Sequence, residues 1–498
     1  MSQPGYAVGG RSRELARLAL ALVQPGFVGL EAPGWLLRRL DDGLGGVGLF
    51  GRNIESPEQV ARLTAQVHDA NPAALVAIDE EGGDVTRLEH RTGSSWPGNL
   101  ALGRVDDVDL TERVAAEIGA LLAAVGVDLD YAPDADVNTN AANPVIGVRS
   151  FGSDAALAAR HTAAWVRGLQ SAGVLACAKH FPGHGDTHVD SHLGLPEAEL
   201  GDPATNPALE PFRAAVAAGC AAVMSAHIRL RDWPDDRPAT LVPGVMTGLL
   251  RDQLGFAGLA VSDGLEMAAI SATVGIAEGG VLAVAAGVDA LCIGGGLADA
   301  GTCDAVVVAL VDAVTSGRLP EGRLVEAADR VTAAAALHRE LRQAAAASVV
   351  TSDQGAGLDA ARRALEVIGT PATTTRAPVI AQLTATQNFA VGDETPAGVV
   401  AAARGRWGEV PVLTIGPEDD PRAAVSGAAG HPLWVVTRDA HRHTWMATAL
   451  AEVLAARPDA VVIDTGWPGW QPADGTALVV TRGASRASGA AVVELLGR

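Results

Sequence analysis

Lysine is almost missing from this chain. Lys179 is the only one in 498 residues, and every other cationic side chain is arginine. Tyrosine is scarce as well, with two residues, and there are four cysteines. Cys177, Cys220, Cys292 and Cys303 have no close CxxC spacing, which excludes a short zinc or redox motif. Three of them lie in or beside apolar runs, so they read as buried free thiols rather than disulfides. No apolar run approaches the roughly 20 residues that a membrane helix needs. The early patch Leu18–Val23 is short, follows a charged amphipathic segment and has no cleavage pattern. A secretory signal is therefore not expected, and a cytoplasmic location is. Positive charge is in deficit too. The net charge of −21 argues against nucleic acid and against anionic membrane surfaces. Internal repeats and low-complexity tracts are missing, apart from a general enrichment in alanine.

Apolar residues make up 48% of the chain and charged residues 19%, enough for a large core. The length suggests at least two domains. Up to about residue 340, short apolar runs alternate with helical patterns. The runs are Phe27–Leu30, Val47–Phe50, Leu75–Ile78, Val127–Tyr131, Val174–Ala178, Ala221–Ser225, Leu259–Val261 and Asp289–Ile293. One helical segment opens with Ser56-Pro57-Glu58-Gln59, an N-cap followed by proline at the first position. Another opens at Thr111-Glu112. Eight strand–helix alternations predict a (β/α)8 barrel. After Glu340 the pattern changes. Strand candidates there are Glu366–Ile368, Val379–Leu383, Val410–Thr414, Leu433–Thr437, Ala460–Ile463 and Ala477–Thr481, and no phosphate-cradling glycine loop accompanies them. The predicted organisation is a catalytic α/β barrel over residues 1–342, a linker over 343–355 and a smaller α/β/α sandwich over 356–498. Trp467-Pro468-Gly469-Trp470, just past one strand, reads as a packed loop or as an aromatic wall for a sugar.

Barrel enzymes carry their chemistry at the carboxyl ends of the strands. Here the third run ends in Asp79-Glu80-Glu81, with Arg87 soon after. The fourth runs into Asp134-Ala135-Asp136. The fifth ends in Lys179-His180, the sixth in Ala226-His227 and the seventh in Ser262-Asp263. One polar residue after a strand is ordinary turn chemistry. Five strands ending in carboxylates and bases point to a site.

The solitary lysine opens the densest stretch, Lys179–Pro196, KHFPGHGDTHVDSHLGLP. His180, His184, His188 and His192 recur every four residues, which resembles a zinc ladder. That spacing shares a face only on a helix, and Pro182, Gly183 and Gly185 oppose one. The competing reading is an acid/base loop, with Asp190 orienting His192 or His188. A solvated polar loop is the bland alternative.

These residues resemble the signature of glycoside hydrolase family 3, in its bacterial β-N-acetylglucosaminidase branch. The resemblance implies an Asp190–His192 acid/base dyad. It extends to AIDEEGGDVTRL (Ala77–Leu88), similar to the family's sugar-binding segment, which implies that Asp79 and Arg87 grip hydroxyls. NPVIGVRSFG (Asn143–Gly152) is similar to its arginine segment and implies Arg149 in the site. Lys179 and His180 are implied as ligands too. VSDGLEM (Val261–Met267) resembles the nucleophile segment and gives that role to Asp263. Asp136 and His227 are weaker substrate-binding candidates, with structural support as the competing role. Two departures stand out: the family often has a second Asp where Gly264 stands, and usually an apolar residue where Asp134 stands.

The implied function is an exo-acting retaining β-N-acetylglucosaminidase acting on cell-wall-derived glycosides. Alternatives are a phosphorylase using inorganic phosphate, a sugar-binding protein without catalysis, and a zinc hydrolase. The expected partner is a small glycoside, with phosphate in the second reading. No cofactor, metal, nucleic acid or membrane is expected, and the chain is expected to be a monomer or weak dimer.

Overall fold

The computed structural model describes residues 10–189, 194–295, 299–347, 355–385 and 397–498. Eight short strands alternate with helices: β1 (Val23–Pro25), β2 (Gly46–Leu49), β3 (Leu75–Ile78), β4 (Leu129–Asp130), β5 (Leu175–Phe181), β6 (Ala222–Ser225), β7 (Leu259–Ser262) and β8 (Leu291–Ile293). Strands β2 to β7 form one parallel sheet in sequence order, and β1 pairs with β8. A bridge between Val261 and Ala290 joins β7 to β8. β1 lies against β2 and closes the curl. The result is a (β/α)8 barrel.

Successive strand residues point to opposite faces. Leu75 and Ala77, Leu129 and Tyr131, Leu175 and Cys177, Ala222 and Met224, and Leu259 and Val261 share the barrel's inner core. Val76, Ile78, Ala176, Val223 and Ala260, between them in sequence, join the layer under the helices. Both faces are buried, which is why these strands read as continuous apolar runs. Each fully buried Leu, Val or Met contributes roughly 1.5–3 kcal/mol. Val331, Ala334 and Ala335 of the helix Glu321–Ala347 belong to the inner cluster as well and plug the amino-terminal end. All four cysteines are buried free thiols.

The first strand is not where the apolar pattern puts it. β1 is Val23–Pro25, and Phe27–Leu30 is loop. The Phe27 carbonyl accepts from Arg52 Nε at 2.9 Å and Asn53 Nδ2 at 3.0 Å, so side chains take the place of a ladder. Ser56 caps the helix Pro57–Ala70 as read, accepting from the Gln59 amide. The helix read from Thr111 opens earlier, at Val108, because Asp107 caps it through the Leu110 amide.

The second sheet holds β9 (Glu366–Ile368), β10 (Val379–Leu383), β11 (Val412–Ile415), β12 (Leu433–Thr437), β13 (Val461–Asp464) and β14 (Ala477–Val480). Its order is β9-β14-β13-β12-β10-β11, parallel except for β9. Val379, Ala381, Val435 and Val462 pack on one side with Leu450 and Val453. Ile380, Trp434, Ile463 and Val479 pack on the other with Val492 and Leu496. This is an α/β/α sandwich. Trp470 packs against the first of these clusters. Among the described residues no helix is long and apolar enough to cross a membrane.

Candidate active site

Strand parity builds the site. Asp79, Lys179 and Asp263 each lie two residues beyond an inner-core residue, namely Ala77, Cys177 and Val261. Each continues the inward register of its strand, so all three converge on the barrel's carboxyl end.

Lys179 is buried there, with its Nζ 2.6 Å from Asp79 Oδ1 and 2.7 Å from Glu81 Oε1. Arg149 grips the same Glu81 with both arms of its fork, Nη2 to Oε1 at 2.7 Å and Nε to Oε2 at 2.9 Å. Burial works against the charged form of Glu81. Arg149 and Lys179 overcome it and hold the carboxyl well below its ordinary range. Burial also works against the Lys179 ammonium, but Asp79 and Glu81 outweigh it and raise its pKa. Lys179 is therefore a fixed cation and not a proton carrier. Arg87 Nη2 stands 3.9 Å from Asp79 Oδ2. Asp79 is the more open of these groups, with a side chain 20% exposed, and it is placed to meet a ligand.

Glu80, between the two site carboxylates, has the opposite parity and a different task. Its Oε2 accepts the Arg87 and Leu88 amides at 2.8 and 3.0 Å, which turns the loop so that Arg87 returns to the mouth. Burial pushes its pKa up to about 7.

A second cluster sits beside the first. Asp136 Oδ2 is 2.7 Å from His180 Nδ1, and Oδ1 accepts the His184 amide at 2.6 Å. His180 Nε2 lies 3.4 Å from Arg149 Nη2. Gly185 backs onto the Val137 carbonyl, where a Cβ would overlap it. His184 is fully buried, with Nδ1 2.7 Å from Thr187 Oγ1, and burial lowers its pKa to about 4. It is neutral near pH 7 and is not the acid. His188 is exposed beside Asn140. His227 Nε2 donates to the Gly264 carbonyl at 3.0 Å, and Nδ1 lies 2.8 Å from Thr240 Oγ1. His227 thus steadies the residue after Asp263. Asp263 itself is half-buried, and its Oδ1 accepts the Gly264 amide at 2.8 Å. Asp190 and His192 lie outside the described residues.

The structure thus brings Asp79, Arg87, Arg149, Lys179, His180 and Asp136 into one network. Glu81 is its hub, a role that the motif alone does not give it. Its parity with Asp79 past β3 was the available signal.

Asp134, Asp136 and His180 place three ligand-type atoms within 4.8 Å of one another. Both Asp136 oxygens are committed to hydrogen bonds, and Arg149 Nε stands 3.7 Å from Asp134 Oδ2, a fixed charge that would repel a metal ion. Burial, then the charge on Asp136, pushes the Asp134 carboxyl up to about 7. His180 lies on β5 and the next residues leave it through Pro182 and Gly183, so the four-residue spacing from His180 to His188 is not on a helix. Dialysis against EDTA is therefore expected to leave activity unchanged. Loss of activity that zinc restores would overturn this reading.

The sequence pattern described as the Glycosyl hydrolase family 3 N terminal domain matches residues 37–334. The chain belongs to glycosyl hydrolase family 3. A family relative, "Beta-hexosaminidase A" of Pseudoalteromonas piscicida, is 38% identical over 259 residues, 47% of this chain and 43% of that protein. The chain thus spans less than half the length of that relative. "Beta-hexosaminidase" of Neisseria meningitidis serogroup B is 38% identical over 263 residues, 51% of this chain and 72% of that one. Among solved structures, a family 3 beta-N-acetylglucosaminidase from Paenibacillus sp. str. FPU-7 is 32% identical with a TM-score of 0.85, covering 97% of this chain and 96% of that one. That likeness extends across the barrel and the sandwich.

Proposed function

We propose that this family 3 chain is an exo-acting retaining β-N-acetylglucosaminidase that removes terminal N-acetylglucosamine from cell-wall-derived or related glycosides. The observation that carries the reading is the convergence of Asp79, Lys179 and Asp263 on one barrel mouth, a sugar grip facing a half-buried carboxylate. The names of the relatives support the sugar, and the resemblance of Lys179–Pro196 supports the dyad.

Retention requires a nucleophile for the anomeric carbon and an acid for the leaving oxygen. Asp263 attacks and forms the glycosyl-enzyme. His192, oriented by Asp190, protonates the leaving oxygen and then, as neutral imidazole, activates the acceptor. A histidine starts near pKa ~6.5, so both proton forms are accessible around neutral pH. Asp79 and Arg87 hold hydroxyls, while the Glu81 network keeps the grip in place for interactions that tighten in the transition state.

Loss of His192 is expected to reduce turnover of poor leaving groups by ~10²–10⁴-fold, the scale of general acid catalysis. Activated aryl glycosides, which need little protonation, should suffer far less. Equal losses for both would remove His192 from the role, with His188 next to be tried.

The acceptor separates hydrolysis from phosphorolysis. Arg149 and Lys179 are already neutralised by Glu81 and Asp79, so neither supplies spare positive charge for phosphate. Water is the acceptor this favours. Turnover of an aryl N-acetylglucosaminide with and without millimolar phosphate, at constant ionic strength, tests it. Free N-acetylglucosamine at an unchanged rate is expected. Accumulation of N-acetylglucosamine-1-phosphate with faster aryl release would establish the phosphorylase instead.

A further inference from the structure

Open parallel α/β sheets bind ligands at the carboxyl ends of their strands, where the strand order reverses. In the C-terminal sheet the order reverses around β10, which has β11 on one side and β12 on the other. The turn leaving β12, Arg438 to His441, is engaged with the barrel. Arg438 Nη1 pairs with Asp84 Oδ2, whose side chain is buried. The other Asp84 oxygen accepts the Ala484 amide at 2.6 Å. Asp84 sits between Glu81 and Arg87, in the loop that grips the sugar. Three residues on from Arg438, His441 Nε2 donates to the Ala141 carbonyl at 3.0 Å.

Ala141 belongs to the barrel loop that follows β4. Its neighbour Asn140 donates to the Thr187 carbonyl at 2.8 Å, and Asn143 to the His184 carbonyl at 2.9 Å. Thr139 Oγ1 donates to Asp186 Oδ1 at 3.1 Å. This loop seats residues 184–188, from which the chain continues to Asp190 and His192.

The turn is held from behind by the Trp467–Trp470 segment. The Trp467 amide donates to Asp439 Oδ1 at 2.7 Å. Gly469 lies flat on the His441 ring, where a Cβ would sit 2.5 Å from Cγ. A side chain at 469 would push the imidazole off Ala141. Trp470 anchors the segment in the sandwich core. The segment is a backing for His441.

We propose that the turn Arg438–His441 is a positioning element of the active site with two separable actions. Arg438 sets the sugar-gripping loop through Asp84. His441 sets residues 184–188, which lead into Asp190 and His192, through the loop around Ala141. Each acts through a loop of the barrel and not on the substrate directly. Displacing such groups by about 1 Å can cost on the order of 10²-fold in rate. The proposal rests on the glycosidase reading above.

The test uses the full chain with Arg438→Gln, His441→Ala, His441→Gln and Gly469→Ala. Two substrates are compared, a 2,4-dinitrophenyl and a 4-methoxyphenyl N-acetylglucosaminide, through KM, kcat and kcat/KM. Hydrogen exchange is followed over residues 79–88 and 138–146. For Arg438→Gln, KM should rise by about tenfold on both substrates with kcat little changed, and exchange should quicken over 79–88 only. For His441→Ala, kcat/KM should fall by about tenfold on the methoxyphenyl glycoside and little on the dinitrophenyl one, with faster exchange over 138–146 only. His441→Gln, which keeps a donor near the Nε2 position, should recover most of the loss, and Gly469→Ala should mimic it. Uniform losses on every parameter, or unchanged kinetics and exchange, would overturn the proposal. If the unmodified chain cleaves neither glycoside, the glycosidase reading fails by itself, and the exchange data still decide whether the turn braces the two loops.

Discussion

Asp263→Ala is expected to lower turnover of every N-acetylglucosaminide by on the order of 10⁴-fold or more, the scale seen when a covalent nucleophile is deleted. Under the proposed mechanism, deletion removes the atom that attacks the anomeric carbon, and the carboxylates that follow Asp79 do not replace it. Glu81 is locked between Lys179 and Arg149, and the Glu80 Oε2 is spent on backbone amides. The fold should survive, because Asp263 is half-buried at the rim, where its Oδ1 accepts the amide of the next residue. Circular dichroism and the thermal midpoint should therefore stay near the unmodified values. A 2-fluoro or 5-fluoro sugar with a good leaving group should label the peptide containing Asp263 by mass spectrometry. Label on a different carboxylate would reassign the nucleophile.

Glu81→Ala is expected to be the most damaging single change to stability in the barrel mouth. It strands the Arg149 and Lys179 side chains, which are 5% and 2% exposed. Removing one partner of a buried ion pair typically costs about 3–5 kcal/mol, because the remaining charge is left uncompensated. Here one deletion leaves two cations short, with Asp79 beside Lys179 and the more distant Asp134 beside Arg149. The denaturant midpoint should fall accordingly, and KM should rise as Lys179 shifts. Glu81→Gln keeps the shape and an acceptor but not the charge, and should lie between. The pH dependence carries the same sign. The folded-state pKa of Glu81 is depressed, so its contribution is fully present above the unfolded value of about 4.3 and fades as pH falls toward the folded one. The stability of the unmodified chain should therefore drop more steeply below about pH 4.3 than that of the variant. A midpoint shift worth less than about 1 kcal/mol would mean that water or a shifted loop satisfies both cations, against the burial seen here.

Much of the architecture was legible because its signals are local. A strand buried on both faces needs an unbroken apolar run, and a turn needs polar residues, so the runs at β2 to β8 and β9 to β14 lie within three residues of where the sequence puts them. β1 departs from this because Phe27–Leu30 is as apolar as Val23–Pro25. Distant partners decide between them: Val23–Pro25 pairs with β8, while Arg52 and Asn53 capture the Phe27 carbonyl. The helix starts at Val108 and not at Thr111 because Asp107 caps it.

The sequence by itself determined which side chains reach the barrel mouth. Position along a strand sets parity, and parity sets direction, so Asp79, Lys179 and Asp263 could be read from their offsets past apolar runs. What it did not determine is what those side chains become. Glu80 and Glu81 are identical neighbours, yet one has its pKa pushed up to about 7 by burial and the other is held ionised by two cations. That difference comes from Arg149, 68 residues away along the chain, and from Lys179. The brace between Asp84 and Arg438 spans 354 residues. Charge state and loop placement depend on burial and on partners within a few ångströms. Those are properties of the packed chain, which only the tertiary structure supplies.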